Sequence, residues 1–185
     1  MRTFIDLQAH SLTMNDVLIE FVLRHIDDEW NRLLKEFSPL EPEMYLWQPA
    51  PGVHSIGWHA RHAIEWRYAL VHVLICERPN EEHLTCLGWE HEPVIQMISS
   101  NQGWHEPGST KEENVAYLKK VREVTNSDIK SLPPSRYWET VNFPWRTGQL
   151  LDEVFQDIRH SSLHRGHIRE IKKAFGRAHP VKADS

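Results

Sequence analysis

Residues 158–168 read Ile158-Arg159-His160-Ser161-Ser162-Leu163-His164-Arg165-Gly166-His167-Ile168 and place three imidazoles at helical spacing. In an α-helix four residues advance about 400° and rise about 6 Å, so His160 and His164 project from one face on successive turns. His167 lies at a similar angle. Imidazole nitrogen suits Zn, Ni, Cu and Fe, and metalloproteases use the same pair spacing for two zinc ligands. The stretch predicts a helix with two metal ligands, or one with exposed or hydrogen-bonded histidines, since the chain has 13.

The composition is that of an ordinary globular protein, with 185 residues that are 40% hydrophobic and 25% charged. This length fits a single domain over residues 1–185, with a core expected over about 12–176. A formal net charge of -5 offers no basic surface, so we expect neither nucleic acid nor a membrane as a partner. The N-terminus lacks the apolar segment of a signal peptide and no apolar run approaches about 18 residues, which predicts a soluble, cytoplasmic protein.

The two cysteines, Cys76 and Cys86, are not arranged as a CxxC motif. Two thiols are too few for a disulfide scaffold, so both are expected to be reduced. A less favoured alternative is that one of them contributes to a metal site.

Four apolar-periodic blocks separated by proline-bearing connectors predict an all-α four-helix bundle with a long crossover between helices 2 and 3. The first block runs from about Leu12 to Phe37, and prolines keep residues 38–54 out of helix. The second begins at Ser55, a plausible N-cap, and runs to about Glu77. The connection over residues 78–109, with a short helix predicted around 90–98, is long enough to be functional or to have structure of its own.

The third block opens with Thr110-Lys111-Glu112-Glu113, which is a capping box. The fourth runs from about Thr147 to Phe175 and is expected to end at Gly176. Its first half carries an apolar stripe rotated well away from the face of His160 and His164. Either this helix buries both sides, as a helix enclosed by neighbours can, or its inward direction is not that of the apolar stripe.

The second block carries two histidines on or near its apolar face. His62 lies inside the stripe between Trp58 and Trp66, and His59 lies near the edge. A histidine in such a place needs a hydrogen-bond partner or a metal, because an unpaired buried polar group is costly. A core histidine bonded to a carbonyl is the commoner case, and sequence geometry alone does not choose between the two residues.

The face that bears His160 and His164 continues upstream to Glu153 and Asp157. Carboxylates in this position can orient a ligand imidazole or accept a proton. The alternative is that both belong to a solvated helix face.

Three segments resemble the DinB/YfiT-like metalloenzyme superfamily: residues 43–52 (EMYLWQPAPG), residues 55–66 (SIGWHARHAIEW) and residues 160–166 (HSSLHRG). The resemblance implies a four-helix bundle and a divalent metal held by three histidines. Matched residue by residue, these are His62, His160 and His164. The family usually has glutamine where this chain has His167, which leaves open a fourth nitrogen near the metal or a change in the hydrogen bonds around it.

The resemblance also implies a range of functions, because family members include enzymes that use low-molecular-weight thiols such as bacillithiol or mycothiol, and hydrolases. Three neutral imidazoles leave coordination positions open, as in catalytic rather than structural sites. We therefore expect Zn, Ni or Fe, a small-molecule substrate and thiol transfer, in a protein that can form a homodimer. The alternatives are a metal-dependent hydrolase, a non-catalytic metal-binding or sensing module, and a metal-free protein whose histidines satisfy one another.

Overall fold

A computed structural model describes residues 13–87, 106–143 and 145–180. Within these ranges the chain is mostly helical, as the sequence predicted. The α-helices are α1 (Met14–Phe37), α2 (Pro42–Leu46), α3 (Ile56–Arg67), α4 (Lys111–Ser131) and α5 (Leu150–Ala178). A π-helix over Tyr68–Ile75 continues α3, and short 3-10 helices cover Thr85–Leu87 and Pro134–Trp138. Strands β1 (Thr140–Asn142) and β2 (Thr147–Gln149) form a small antiparallel hairpin.

Two helices begin at capping boxes. The predicted one at Thr110 is confirmed, since its hydroxyl accepts a bond from the Glu113 amide and the Glu113 carboxylate accepts one from the Thr110 amide. A second, between Thr13 and Asp16, begins α1. The predicted core side of the third block is buried at Leu118, Val121, Thr125, Ile129 and Leu132. The stripe predicted for the first block is half-buried at Ile19 and buried at Val22, Leu23, Ile26, Trp30, Leu33 and Phe37. Capping and periodicity therefore determine these two helices.

The central helix of the bundle is α3. Ser55 is its N-cap, as predicted, and its hydroxyl accepts a bond from the Trp58 amide at 3.1 Å. Only Arg61 and Trp66 of α3 are even half-exposed, because the helix packs against both α4 and α5. Both histidines of this helix, His59 and His62, are therefore buried.

The side of α5 that faces the core is the side on which the histidine pair lies. Its buried residues recur three and four apart: Leu150, Glu153, Val154, Asp157, Ser161, His164, Ile168 and Ile171. Leu151, Phe155 and Ile158 are half-buried and flank this stripe. The middle of α5 therefore presents polar side chains to the core, which is why its apolar residues alone give a misleading direction.

Three predicted boundaries are corrected. Residues 38–54 contain the short helix α2, which Pro42 can begin because the first helical position needs no amide hydrogen bond. The last helix begins at Leu150, after β2, and not at Thr147. Gly176 lies inside α5, which ends at Ala178. The short helix predicted around 90–98 lies outside the described residues.

One apolar cluster draws on all four long helices and on Leu84 and Leu87 from the start of the crossover. Helix α5 packs against α1 and α3, and α4 packs against α1 and α3. This four-helix arrangement agrees with the predicted bundle. None of the described helices is long and apolar enough to cross a membrane.

Candidate metal centre

His62, His160 and His164 converge between α3 and α5. One ring nitrogen of each lies within 4.8 Å of the others. The two α5 residues come from successive turns, and their Nε2 atoms are 3.2 Å apart. The packing of α3 on α5 adds His62 to the pair. Among the described residues, these three histidines form the group whose possible ligand atoms lie close enough together to hold a metal ion.

The hydrogen bonds of His62 fix its tautomer. Its Nδ1–H donates to the backbone carbonyl of Cys86 at 3.0 Å, so the lone pair of the neutral ring is on Nε2. The Cys86 amide in turn donates to the buried carboxylate of Glu65 at 2.8 Å. The indole of Trp58 stacks on the His62 ring at 4.5 Å. The 3-10 turn of the crossover thus holds this imidazole in one orientation.

His164 has a different kind of partner. Its Nδ1 lies 2.9 Å from Nδ1 of His59, and both rings are buried. The choice between His59 and His62 that the sequence left open is therefore made by the packing: His62 joins the group of three and His59 lies behind His164. In both His62 and His164, Nδ1 is engaged and Nε2 is the nitrogen turned to the centre.

His160 stacks on Trp66, with ring centroids 4.6 Å apart. Its Nδ1 is buried and forms no hydrogen bond with the described residues. Its position therefore depends on ring packing and on its Nε2 contact with His164.

The site favours neutral imidazoles. Burial lowers the pKa of His62 to about 4, partly offset by its bond to Cys86. Burial and the neighbouring imidazoles hold the pKa of His160 and His164 well below the usual range. These shifts favour the neutral imidazole in all three residues, which is the form that binds metal.

These residues fit a divalent metal. Zinc–nitrogen bonds of about 2.0–2.1 Å in a tetrahedral site place two ligand nitrogens about 3.3 Å apart, and the Nε2 atoms of His160 and His164 are 3.2 Å apart. Without an ion, the same separation allows one N–H hydrogen bond between the two Nε2 atoms. A bound ion would take the place of that proton. The donor set is three neutral nitrogens with no thiolate, since neither Cys76 nor Cys86 belongs to the group.

The two carboxylates predicted near the site are fully buried, so the solvated-face alternative is wrong. Asp157 Oδ2 lies 3.6 Å from a guanidinium nitrogen of Arg67, and burial raises the Asp157 pKa to about 6 although Arg67 lowers it. Glu153 accepts bonds from Trp145 Nε1 at 3.0 Å and from Arg146. Their action on a ligand imidazole stays a prediction.

His167, the third predicted neighbour, is exposed and stacks on His59, with centroids 4.9 Å apart and planes 16° apart. The two rings line a groove of about 290 Å³ between α5 and the segment before α3. Pro49, Val53, Ile171 and Ala174 form its apolar wall, and Glu170 and Arg177 lie at its edge. Of the residues around the proposed centre, His59 and His167 line this groove, and the three converging histidines do not.

Two carboxylates that bind the segments next to the site were not identified from the sequence. Glu65 accepts bonds from the amides of Cys86 and Leu87 and from Arg61, and burial raises its pKa to about 7 although Arg61 lowers it. Glu106 accepts bonds from the amide and hydroxyl of Ser55. Arg61 and Glu65 lie four residues apart, a spacing that predicts an ion pair on a helix. No neighbouring residue in the sequence indicated that amides of the crossover would donate to the Glu65 carboxylate.

Comparison with known families gives a match. A sequence profile described as the DinB superfamily matches residues 25–168, which include all three histidines. No curated protein matches the chain.

Proposed function

Because the chain belongs to the DinB superfamily, we propose that it is a metal-dependent enzyme in which His62, His160 and His164 hold a divalent ion. The observation that carries the proposal is the convergence of three neutral imidazoles within 4.8 Å in a buried site. Imidazole donors favour Zn, Ni or Fe among the common ions. The reaction that we favour is transfer to or from a low-molecular-weight thiol, by analogy with the family.

Such an ion supplies Lewis-acid chemistry, lowering the pKa of a thiol or water that it binds. Three protein ligands, none of them charged, leave room for that small molecule. The chain's own contribution is to orient the rings: Cys86 holds His62, His59 holds His164, and Trp66 covers one face of His160. Burial of these rings limits the access of water, which strengthens the interactions of charges in the site.

For a thiol reaction we expect the protein in the cytoplasm, because low-molecular-weight thiols stay reduced there. The substrate would be a small molecule, and the groove lined by His59 and His167 offers it a place to bind beside the site. No part of the proposal needs a nucleic acid or a membrane. Hydrolysis of an ester or amide uses the same donor set, and simple metal binding uses it without turnover, so activity assays must separate the three.

The first test is metal content. Wild-type protein purified without an affinity tag should carry close to one divalent ion per chain by elemental analysis. His62→Ala, His160→Ala and His164→Ala should each lose most of it, because two imidazoles hold an ion far more weakly than three. His83→Ala removes an exposed histidine and is the matched control. If wild-type protein carries no ion after incubation with Zn, Ni or Fe, the proposal fails.

The second test is activity. Wild-type protein is supplied with bacillithiol, mycothiol or glutathione and a chloro-aromatic electrophile, and separately with a chromogenic ester. Thiol-dependent product that scales with metal occupancy supports a transferase. Ester cleavage without thiol dependence identifies a hydrolase. If fully metallated protein gives neither, the site is a metal-binding or sensing module.

A further inference from the structure

We propose that His59 is a positioning residue for the metal centre, which accepts the Nδ1–H hydrogen bond of His164 and so keeps the His164 lone pair on Nε2. The inference rests on the proposed metal site. It adds a residue that the three-histidine group does not contain, on the second turn of α3.

The direction of the bond follows from the two ends of the His164 ring. Its Nδ1 is 2.9 Å from Nδ1 of His59, and its Nε2 is 3.2 Å from Nε2 of His160. A neutral imidazole carries one proton. If that proton is on Nε2, the nitrogen facing the centre cannot bind an ion. With the lone pair on Nε2, the Nδ1–H of His164 donates and His59 Nδ1 accepts.

His59 is itself held for this role. Its ring is 9% exposed, packs edge-on against Trp58 at 5.1 Å and stacks on His167 at 4.9 Å. These ring contacts hold the imidazole with its Nδ1 towards Nδ1 of His164, which is the position from which it accepts.

The three proposed ligands differ in how their outer nitrogens are held. His62 donates to a backbone carbonyl, which no side-chain substitution removes, and Nδ1 of His160 has no hydrogen-bond partner among the described residues. The bond between His59 and His164 is therefore the one that mutation can test. Losing the outer partner of a ligand histidine typically costs about 10- to 100-fold in metal affinity.

The experiment compares two substitutions. His59→Phe keeps a ring for packing but has no acceptor, whereas His59→Asn keeps an acceptor oxygen as many bonds from Cα as Nδ1 is. Zinc affinity is measured by competition with a chromogenic chelator, and the visible spectrum is recorded with cobalt(II). We expect His59→Phe to bind about 10- to 100-fold more weakly with altered cobalt bands. His59→Asn should stay close to wild type in both.

The control is His72→Phe, which removes a half-buried imidazole and its bond to Asp128 from the π-helix. It should leave zinc affinity and the cobalt spectrum unchanged. Circular dichroism checks that each variant folds. If His59→Phe does not fold, His59→Gln takes its place in the comparison. The acceptor oxygen of Gln lies one bond farther from Cα than Nδ1 of His does, so zinc affinity should again fall below that of wild type.

The outcomes separate the two proposals. Wild-type protein that binds neither zinc nor cobalt overturns the proposed function and this inference with it. Wild-type protein that binds both, with His59→Phe binding equally well, overturns this inference alone. An equal loss in His59→Asn and His59→Phe also overturns it, since packing and not the acceptor would then explain the effect.

Discussion

Arg67 and Asp157 meet in the core of the bundle, where neither side chain is exposed. Arg67 lies at the end of α3, donates to Thr125 and Asn126 of α4, and its guanidinium lies 4.5 Å from the ring of Trp30 in α1. Asp157 supplies the counter-charge from α5 at 3.6 Å. A single arginine therefore contacts all of the other long helices.

Replacing Asp157 with Asn should lower the free energy of unfolding by about 3–5 kcal/mol at neutral pH, because Arg67 would be left as a buried charge without its partner. Urea unfolding followed by circular dichroism measures this change. The control is Glu170→Gln, which breaks an exposed ion pair with Lys173 on the same helix and should leave the unfolding midpoint unchanged. A midpoint for Asp157→Asn that matches wild type would show that the pair contributes nothing.

The titration of His59 gives a pH-dependent prediction. Burial and the neighbouring imidazole of His167 lower its pKa to about 3 in the folded protein, whereas the pKa is about 6.5 in an unfolded chain. Below about pH 6.5 the unfolded chain therefore binds a proton that the folded chain does not, so stability falls as the pH falls towards about 3. Above about pH 6.5 both states are neutral at this residue and its contribution is constant.

His59→Phe removes this contribution. Compared in chelator, so that no metal is bound, the variant should gain stability relative to wild type by up to about 1.4 kcal/mol for each pH unit below about 6.5. Urea unfolding between about pH 7.5 and about pH 5 measures the difference. The difference should be flat in the upper part of this range, and a difference that is flat throughout would contradict the prediction.

Among the secondary-structure elements, α4 owes its start to the reciprocal bonds between Thr110 and Glu113. These bonds satisfy amides that the first turn of a helix leaves unpaired. The end of helix α3, by contrast, has no such sequence signal. The helix changes to a π-helix at Tyr68, where the sequence has no proline or glycine that would predict the change. A π-helix pairs residues five apart, so the face predicted from 100° per residue drifts after this point. Val71, inside this π-helix, is fully buried.

Replacing Thr110 with Ala should lower the free energy of unfolding by about 1 kcal/mol, because it removes the hydroxyl acceptor of the capping box. Thermal unfolding measures the change. Thr110→Ser keeps the hydroxyl and should behave like wild type. If the serine and alanine variants lose equal stability, the methyl group of Thr110 and not its capping bond is what matters.

At the level of the whole molecule, the proposed ion would join α3 to α5 across the bundle, through His62 on one side and His160 and His164 on the other. A ligand that binds only the folded state stabilises it by about 2.7 kcal/mol when its free concentration is 100 times Kd. For a chain of this size each kcal/mol corresponds to about 2–4 °C in Tm.

Removing the ion with a chelator should therefore lower Tm by about 5–10 °C. Differential scanning calorimetry before and after chelation, with metal loss verified by elemental analysis, measures this shift. His160→Ala is the control, since it should unfold at the same temperature with and without chelator. An unchanged Tm in verified metal-free wild-type protein would show that the ion does not support the fold.

The sequence by itself determined the features that depend on neighbouring residues along the chain. The capping box at Thr110, the N-cap at Ser55 and the apolar stripes of α1 and α4 all follow from spacings of three or four residues. The spacing of His160 and His164 follows from the same geometry, and their Nε2 atoms do face each other. The extent of the domain and the roles of Glu153, Asp157 and His167 at a metal stay predictions.

Only the tertiary structure decided which side of α5 faces inward and which histidine of α3 joins the pair. Apolar content misdirects at α5 because its core side carries charged residues whose partners make burial possible: Asp157 is paired with Arg67 from the distant end of α3, and Glu153 is paired with the nearby Arg146. His59 and His62 differ by less than one turn, so only the packing of α3 on α5 sends one to the centre and the other behind it. Such partners are brought together by helix packing, which leaves no periodic signal in the sequence.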